Sequence, residues 1–134
     1  MTATTTDRNT PYKDPFILAV SLAAGVSVLA GTIAVANADG FGEMATLADD
    51  LTYLGRFEES VDNSAGDDGE KTALVRRKKA FCWANHGADA VTQASLGKLC
   101  YLVDNQTVAK TDGTGTRSAA GIVLAIDSDG VWVE

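Results

Sequence analysis

The feature that most constrains the fold of this chain is a run without a charged side chain, FILAVSLAAGVSVLAGTIAVANA, from Phe16 to Ala38. Such a run is compatible with a membrane span, a cleaved signal peptide or a buried part of a folded core. The signal-peptide reading is weakened because two acidic residues offset the two basic residues before the run, and because the run exceeds a typical signal core. The membrane reading is weakened because small and polar residues dilute the run and neither flank has a positive excess.

The pattern inside the run favours β-structure. Apolar and small residues alternate from Thr32 to Ala36, with the period of a half-buried strand. Two glycines interrupt the run, and Asp39-Gly40 follows it as a hairpin turn signal. We therefore interpret the run as two buried strands, Phe16–Ser21 and Thr32–Asn37, joined by a compact apolar connection.

The rest of the chain repeats this strand-and-turn pattern. The Asp-Gly pair recurs at positions 68, 112 and 129. Further strands are predicted at Thr72–Ala84, Leu99–Asp104, Thr107–Thr111, Ile122–Ile126 and Val131–Val133, the last four as two hairpins. Helices are predicted only at Glu43–Tyr53 and Ala88–Ser95. Short strands with turns at this spacing predict a mainly β protein, a small antiparallel barrel or sandwich, with at most one or two short helices.

Charge is unevenly distributed along the chain. Met1–Pro15 is polar and proline-containing, which predicts an extended arm that cannot order itself alone. Asp49–Glu70 carries eight acidic residues against one arginine and is interpreted as an exposed loop. The basic run Arg76–Lys79 is either a solvated strand face or a contact patch for an acidic protein surface. The net charge of −7 disfavours general nucleic-acid binding.

No set of residues in the sequence forms a convincing catalytic, metal or cofactor site. The only histidine, His86, precedes a glycine in a predicted turn, and no nucleophile-elbow motif is present. Asp127–Gly130 begins like a calcium loop but lacks the downstream glutamate. Cys82 and Cys100 are interpreted as buried free thiols rather than a disulfide. We therefore expect a protein that is not an enzyme and that has no cofactor and no small-molecule substrate.

Three stretches together resemble a family of small tailed-phage head proteins, the capsid decoration or cement proteins. They are Phe16–Ala45, Gly97–Thr111 (GKLCYLVDNQTVAKT) and Ala120–Glu134 (AAGIVLAIDSDGVWVE). In the family the first is a strand, a glycine-containing connector and a second strand; the second is a hairpin; the third is a closing hairpin. The acidic segment and the basic run are not part of the resemblance.

The resemblance implies a β-barrel or β-tulip-like decoration domain over residues 16–134, preceded by the arm at residues 1–15. It implies a virion structural protein on the outer capsid surface that bridges major capsid subunits, often as a homotrimer at three-fold and quasi-three-fold positions, with neither membrane nor nucleic acid as a partner. The residues expected to contact the capsid or another copy are Thr2, Thr4, Arg8, Tyr12, Lys13, Arg76, Arg77, Lys78, Lys79 and Trp83. Core packing of Trp83 is the competing interpretation.

Besides an enzyme or ligand-binding barrel, which the absence of converging polar groups disfavours, two other functions remain open on the sequence. One is another virion structural role, such as a head–tail joining or tail protein. The other is a secreted or membrane-anchored β domain whose targeting segment is Phe16–Ala38.

Overall fold

Strands dominate the computed structural model, which describes residues 2–134; Met1, the first residue of the predicted arm, lies outside the described residues. The strands are β1 Ile17–Ser21, β2 Ser27–Val28, β3 Ile33–Ala36, β4 Gly42–Met44, β5 Thr52–Phe57, β6 Val61–Asp62, β7 Thr72–Arg76, β8 Phe81–Asn85, β9 Leu99–Leu102, β10 Thr107–Ala109, β11 Ala119–Asp127 and β12 Gly130–Val133. A single 3-10 turn, Gln93–Ser95, is the helical element of the described chain. The fold is therefore mainly β, as the sequence predicted.

Residues 17–76 form the N-terminal sheet, a five-stranded antiparallel sheet in the order β1-β7-β5-β3-β4. A separate two-stranded ribbon, β2-β6, accompanies it. The two edges of the sheet meet at one end, where Leu22 after β1 makes a parallel bridge to Gly42 of β4. The sheet is thus curled, with its edges joined at that end.

Residues 81–133 form the C-terminal barrel, a closed barrel in the order β10-β8-β12-β11-β9. Every neighbouring pair is antiparallel except β10 with β8, which is parallel. The predicted barrel is therefore confirmed. Every strand pair of the described chain lies within the sheet and ribbon or within the barrel, and residues 77–80 connect these two halves.

The core consists of two buried clusters. One lies between the two halves, and the other lies within the curled N-terminal sheet. The larger cluster lies between the halves, since Ile33 and Val35 of β3 pack with barrel residues that include Trp83 and Val131. The smaller cluster lies on the opposite face of the sheet, around Phe57. The side-chain alternation of β3 produces this division, because Ala34 points to the second cluster.

The uncharged run Phe16–Ala38 forms β1, β2 and β3, so its interpretation as two strands and a connection is confirmed. The expected burial is not found in β1, whose residues alternate between exposed and half-buried. Both predicted hairpins near the C-terminus are present as β9–β10 and β11–β12, and Asp39-Gly40 forms the turn between β3 and β4. Among residues 2–134, no helix combines the length and the apolar character that crossing a bilayer requires.

Three predictions of local structure were wrong. Glu43–Tyr53 is not a helix, because its ends are strand residues paired with β3: Glu43 opposite Val35, and Tyr53 opposite the same valine on the other side. Thr72–Ala84 is two strands separated by a turn. Asp49–Glu70 is not one exposed loop, since it contains β5 and β6.

The helix predicted at Ala88–Ser95 is reduced to the 3-10 turn at its end. The segment before this turn is held in another way. The side-chain amide of Asn85 exchanges two hydrogen bonds with the backbone of Val91, at 2.8 and 2.9 Å.

Candidate interaction surface

The turn between β7 and β8 comprises Arg77, Lys78, Lys79 and Ala80, contains neither glycine nor proline, and is called here the basic turn. Lys78 adopts a left-handed backbone conformation with φ of 57°, which is uncommon for a residue with a side chain. The break in the strand places the basic residues at the surface rather than along one strand face. Of the four basic residues, only Arg76 lies on a strand, so the basic run as a whole is not a solvated strand face.

Arg76, the last residue of β7, is already paired within the protein. Its Nε lies 3.0 Å from Oε1 of Glu58, and Arg56 binds the same oxygen. The hydrogen bond from Arg56 is the main cause that lowers the pKa of Glu58, and Arg76 contributes in the same direction. One carboxylate thus serves two guanidinium groups, so part of the charge of Arg76 is offset within the protein.

The three basic side chains of the turn form no ion pair with the described part of the chain. Lys78 and Lys79 are exposed, and Arg77 is half-buried with its Nε enclosed and lacking a hydrogen-bond acceptor. The ammonium of Lys79 lies 5.2 Å from the centre of the Phe16 ring, a cation–π contact. This surface therefore presents positive charge that no acidic residue of the described chain neutralises by direct pairing.

The structure brings the end of the arm to the basic turn. The Arg77 backbone N–H donates to the Phe16 carbonyl at 2.7 Å, which extends the β1–β7 ladder by one pair. Asp14 accepts a hydrogen bond from the Phe16 N–H at 3.1 Å and turns the chain into β1. A shallow groove between them is lined by Asp14, Phe16, Ile17, Arg76 and Lys79. Two regions that are about sixty residues apart in sequence thus form one surface.

The arm itself projects from the domain. The predicted contact residues Thr2, Thr4, Arg8, Tyr12 and Lys13 are all exposed, Tyr12 to 98%. The side-chain hydrogen bonds of the described arm are local, between Thr4 and Thr6 and between Arg8 and Thr10. The arm therefore offers its polar side chains and one tyrosine ring to whatever lies beside it.

Apolar side chains that the sequence reasoning missed complete the surface beside the arm. Phe16, Ile17 and Leu74 are 41%, 42% and 41% exposed. Leu74 of β7 lies opposite Ala19 of β1, and Ile17 lies on the same face. No sequence signal marked this face, because ILAVS does not alternate polar and apolar residues, and β1 was interpreted as part of the core.

Trp83 does not belong to this surface. Its side chain is only 4% exposed, and its indole N–H donates to the hydroxyl of Tyr53 at 3.1 Å. Trp83 therefore packs in the core, and little of its surface is accessible to a partner. Trp132 is the half-buried tryptophan, and its indole N–H donates to Asp127 at 2.8 Å.

A second exposed apolar cluster lies on the outside of the barrel. Leu99 of β9 stands opposite Ile122 of β11, and Leu124 follows on the same strand. These side chains are 45%, 37% and 44% exposed. Neighbouring exposed apolar side chains of this kind are typical of a surface that meets another protein.

The metal-binding and thiol side chains of the described residues do not form a site. In residues 2–134 no group of three His, Cys, Asp or Glu side chains is placed to hold a metal ion. Cys82 and Cys100 are both free thiols, and burial raises the pKa of Cys100 to about 11. Cys100 is fully buried as predicted, whereas Cys82 is only half-buried.

Comparison with known proteins gives no relative. No protein-family model matches the chain, no curated protein matches it, and no solved structure matches its fold.

Proposed function

We propose that this protein is a capsid decoration protein of a tailed phage, which binds the outside of the head and bridges neighbouring major capsid subunits without catalytic turnover. The observation that carries the proposal is the exposed arm rooted beside the unpaired positive charges of the basic turn. The resemblance of three sequence stretches to this family supplies the prior expectation.

The arm suits a bridging role on physical grounds. A segment too polar to fold alone can gain order when it lies along a neighbour, and this widens the contact area of a small domain. Fully extended, residues 1–15 would reach about 50 Å at roughly 3.3 Å per residue. A domain seated on one capsid subunit could therefore touch the next.

The charge distribution suits one orientation on the shell. The chain carries a net charge of −7, yet the basic turn holds three basic side chains that form no ion pair with the described chain. An acidic area of the major capsid protein would attract this side and repel the remainder of the surface. Electrostatic attraction of this kind sets orientation and association rate more than affinity.

Self-association is part of the proposal. The cluster of Leu99, Ile122 and Leu124 lies on the barrel, in the opposite half of the fold from β1. A homotrimer that covered this cluster would leave the arm and basic turn available for the shell.

The proposal is tested by adding the purified protein to phage heads that lack it. We expect binding across the shell and a higher temperature of head disruption, measured by particle imaging and by release of packaged DNA on heating. The single variants Lys78→Glu and Lys79→Glu should each occupy fewer sites, and Lys110→Glu is a control of equal charge change at an exposed lysine of the barrel half. Binding confined to one vertex as a ring of six or twelve would indicate a head–tail joining protein instead. Unchanged heat resistance at full occupancy would contradict the stabilising role.

A further inference from the structure

The outer edge of β1 has free backbone groups at its N-terminal end. The bond from Arg77 N–H to the Phe16 carbonyl and the bond from Leu22 N–H to the Lys71 carbonyl fix the phase of the β1–β7 ladder. In an antiparallel pair, alternate residues bond to the partner, so Phe16, Leu18, Val20 and Leu22 face β7. Ile17 and Ala19 consequently direct their N–H and C=O groups away from β7, to the edge of the sheet.

This edge lacks the features that usually protect one. The β1 sequence ILAVS contains no charge and no proline, whereas proteins commonly place such residues on edges to block strand addition. The bridge to Gly42 covers only the other end of the strand, at Leu22. Beside the open part lie the exposed side chains of Ile17 and Leu74, which would meet alternate apolar side chains of an added strand.

The charges next to the open edge define what could be added. Lys79 lies against the Phe16 ring, and Lys78, its neighbour in the basic turn, is also exposed. An acidic side chain placed beside these two ammonium groups would gain charge-assisted hydrogen bonds, since neither lysine forms an ion pair with the described chain. An extended segment that pairs with the β1 backbone and carries acidic residues near Phe16 would therefore use both features.

We propose that β1 accepts an extended segment of another protein as an additional strand, at the edge presented by Ile17 and Ala19. The segment has alternating apolar residues and one or two acidic residues that lie against the basic turn. Main-chain hydrogen bonds supply the affinity, and the acidic residues set register and specificity. Under the proposed function, the protein that supplies this segment is the major capsid protein. Only this identification rests on the proposed function.

The inference is tested with synthetic peptides and the full-length ¹⁵N-labelled protein. One peptide has eight residues of alternating Val and Thr followed by two Glu, and a matched peptide has two Lys in place of the two Glu. Each peptide is also made with its sequence reversed. We expect the Glu peptide to slow amide exchange at Ile17 and Ala19 about tenfold. The Lys peptide should bind roughly fivefold more weakly, and high salt should remove this difference.

Two sets of variants separate backbone pairing from charge pairing. Ala19→Pro removes the outward N–H while the bonds to β7 remain, so it should abolish the slowed exchange; Ala19→Thr keeps that N–H and should bind normally. The double change Lys78→Glu and Lys79→Glu should make the Lys peptide the better ligand. This second test stays decisive if the proline variant is poorly folded.

Several results would overturn the inference. They are equal binding of the Glu and Lys peptides at low salt, chemical-shift changes that avoid β1, and slowed exchange at Ile17 and Ala19 caused by an oligothymidine rather than by either peptide. On heads, Ala19→Pro protein that binds as fully as the unchanged protein would overturn this inference alone. Failure of the unchanged protein to bind heads would overturn the proposed function and leave the peptide result standing.

Discussion

The indole N–H of Trp83 donates to the hydroxyl of Tyr53 across a distance of 3.1 Å and thereby joins the two halves of the fold. Trp83 belongs to β8 of the C-terminal barrel, and Tyr53 to β5 of the N-terminal sheet. Burial raises the pKa of Tyr53 to about 12, so its hydroxyl stays protonated at ordinary pH. The bond is therefore a permanent polar contact within a largely apolar interface.

Removing that hydroxyl should destabilise the protein. Tyr53→Phe leaves the buried indole N–H without an acceptor, and we expect a loss of about 1–2 kcal/mol in the free energy of unfolding. Urea denaturation followed by tryptophan fluorescence measures it. Tyr101→Phe, which removes a hydroxyl from another half-buried tyrosine, is the control and should cost less. Equal losses in the two variants would show that the Trp83 bond contributes nothing particular.

Gly55 should be far less tolerant of substitution than a surface glycine. Its φ is 147°, and an added Cβ would lie 2.1 Å from the Arg76 carbonyl oxygen, where β5 approaches β7. Gly55→Ala should therefore cost about 3 kcal/mol or more, because both the backbone and the neighbouring strand must move. Gly87→Ala, with no atom within 4 Å of the added carbon, should change stability by less than about 0.5 kcal/mol. Similar thermal midpoints for both variants would contradict the close packing of β5 on β7.

Stability should fall at acid pH through specific carboxylates. The hydrogen bond from the Thr111 hydroxyl is the main cause that lowers the pKa of Asp89, and Arg117 acts in the same direction at 2.8 Å. A lowered pKa in the folded state means that this contribution is complete above the ordinary value near 3.8 and is lost as the pH falls through the folded value. Urea midpoints measured from pH 7 to pH 2 should therefore drop at the acid end.

The variant Asp89→Asn isolates the contribution of this carboxylate. It should be less stable than the unchanged protein at pH 6 and should show a smaller drop at acid pH. Thr111→Val, which retains the carboxylate but removes its donor, should change the profile in the same direction. An unaltered pH profile in both variants would assign the acid sensitivity to other groups, such as Asp62 and Asp127, whose pKa values are also lowered by hydrogen bonds.

The two cysteines should differ in reactivity in the native protein. Cys100 is fully buried with a pKa raised to about 11, and Cys82 is partly accessible. At pH 8 a thiol reagent should therefore modify Cys82 first and reach Cys100 only after unfolding. Intact mass measured over time checks this order, with Cys82→Ser as the control that should remain unmodified while folded. Rapid double modification would contradict the packing of β9.

The arm should be dispensable for folding. Its described hydrogen bonds are local and its side chains are exposed, so deletion of residues 1–13 should change the free energy of unfolding by less than about 0.5 kcal/mol. Under the proposed function, the same deletion should weaken binding to phage heads. A large loss of stability would instead show that the arm packs on the domain.

Local pairings were predictable from the sequence, and distant ones were not. The hairpins β9–β10 and β11–β12 were predicted with both of their strands, whereas for β3–β4 only the turn was predicted, because Glu43–Tyr53 was interpreted as a helix. The β1–β7 pairing, with Ile17 opposite Arg76, has no comparable signal because it is set by tertiary packing. Similarly, β5 lies within an acidic segment and is held by its neighbours β3 and β7.

The candidate surface was predicted in parts but not as a whole. The arm and the basic run were each selected for their composition, yet their proximity follows from the β1–β7 pairing. The turn at Lys78 was missed because its left-handed backbone is usually indicated by Gly or Asn, and here it is formed by a lysine. The exposed apolar side chains of Ile17 and Leu74 were missed because an edge strand and a central strand have similar compositions.

The connection of the two halves through residues 77–80 alone has a consequence for proteolysis. A trypsin-like protease that cut after Lys78 or Lys79 would leave every strand with all of its pairing partners, because each sheet lies wholly on one side of the cut. The two fragments would remain associated through the buried cluster around Ile33, Val35 and Trp83. The nicked protein would therefore keep its fold while losing the continuity of the very loop that it offers to a partner.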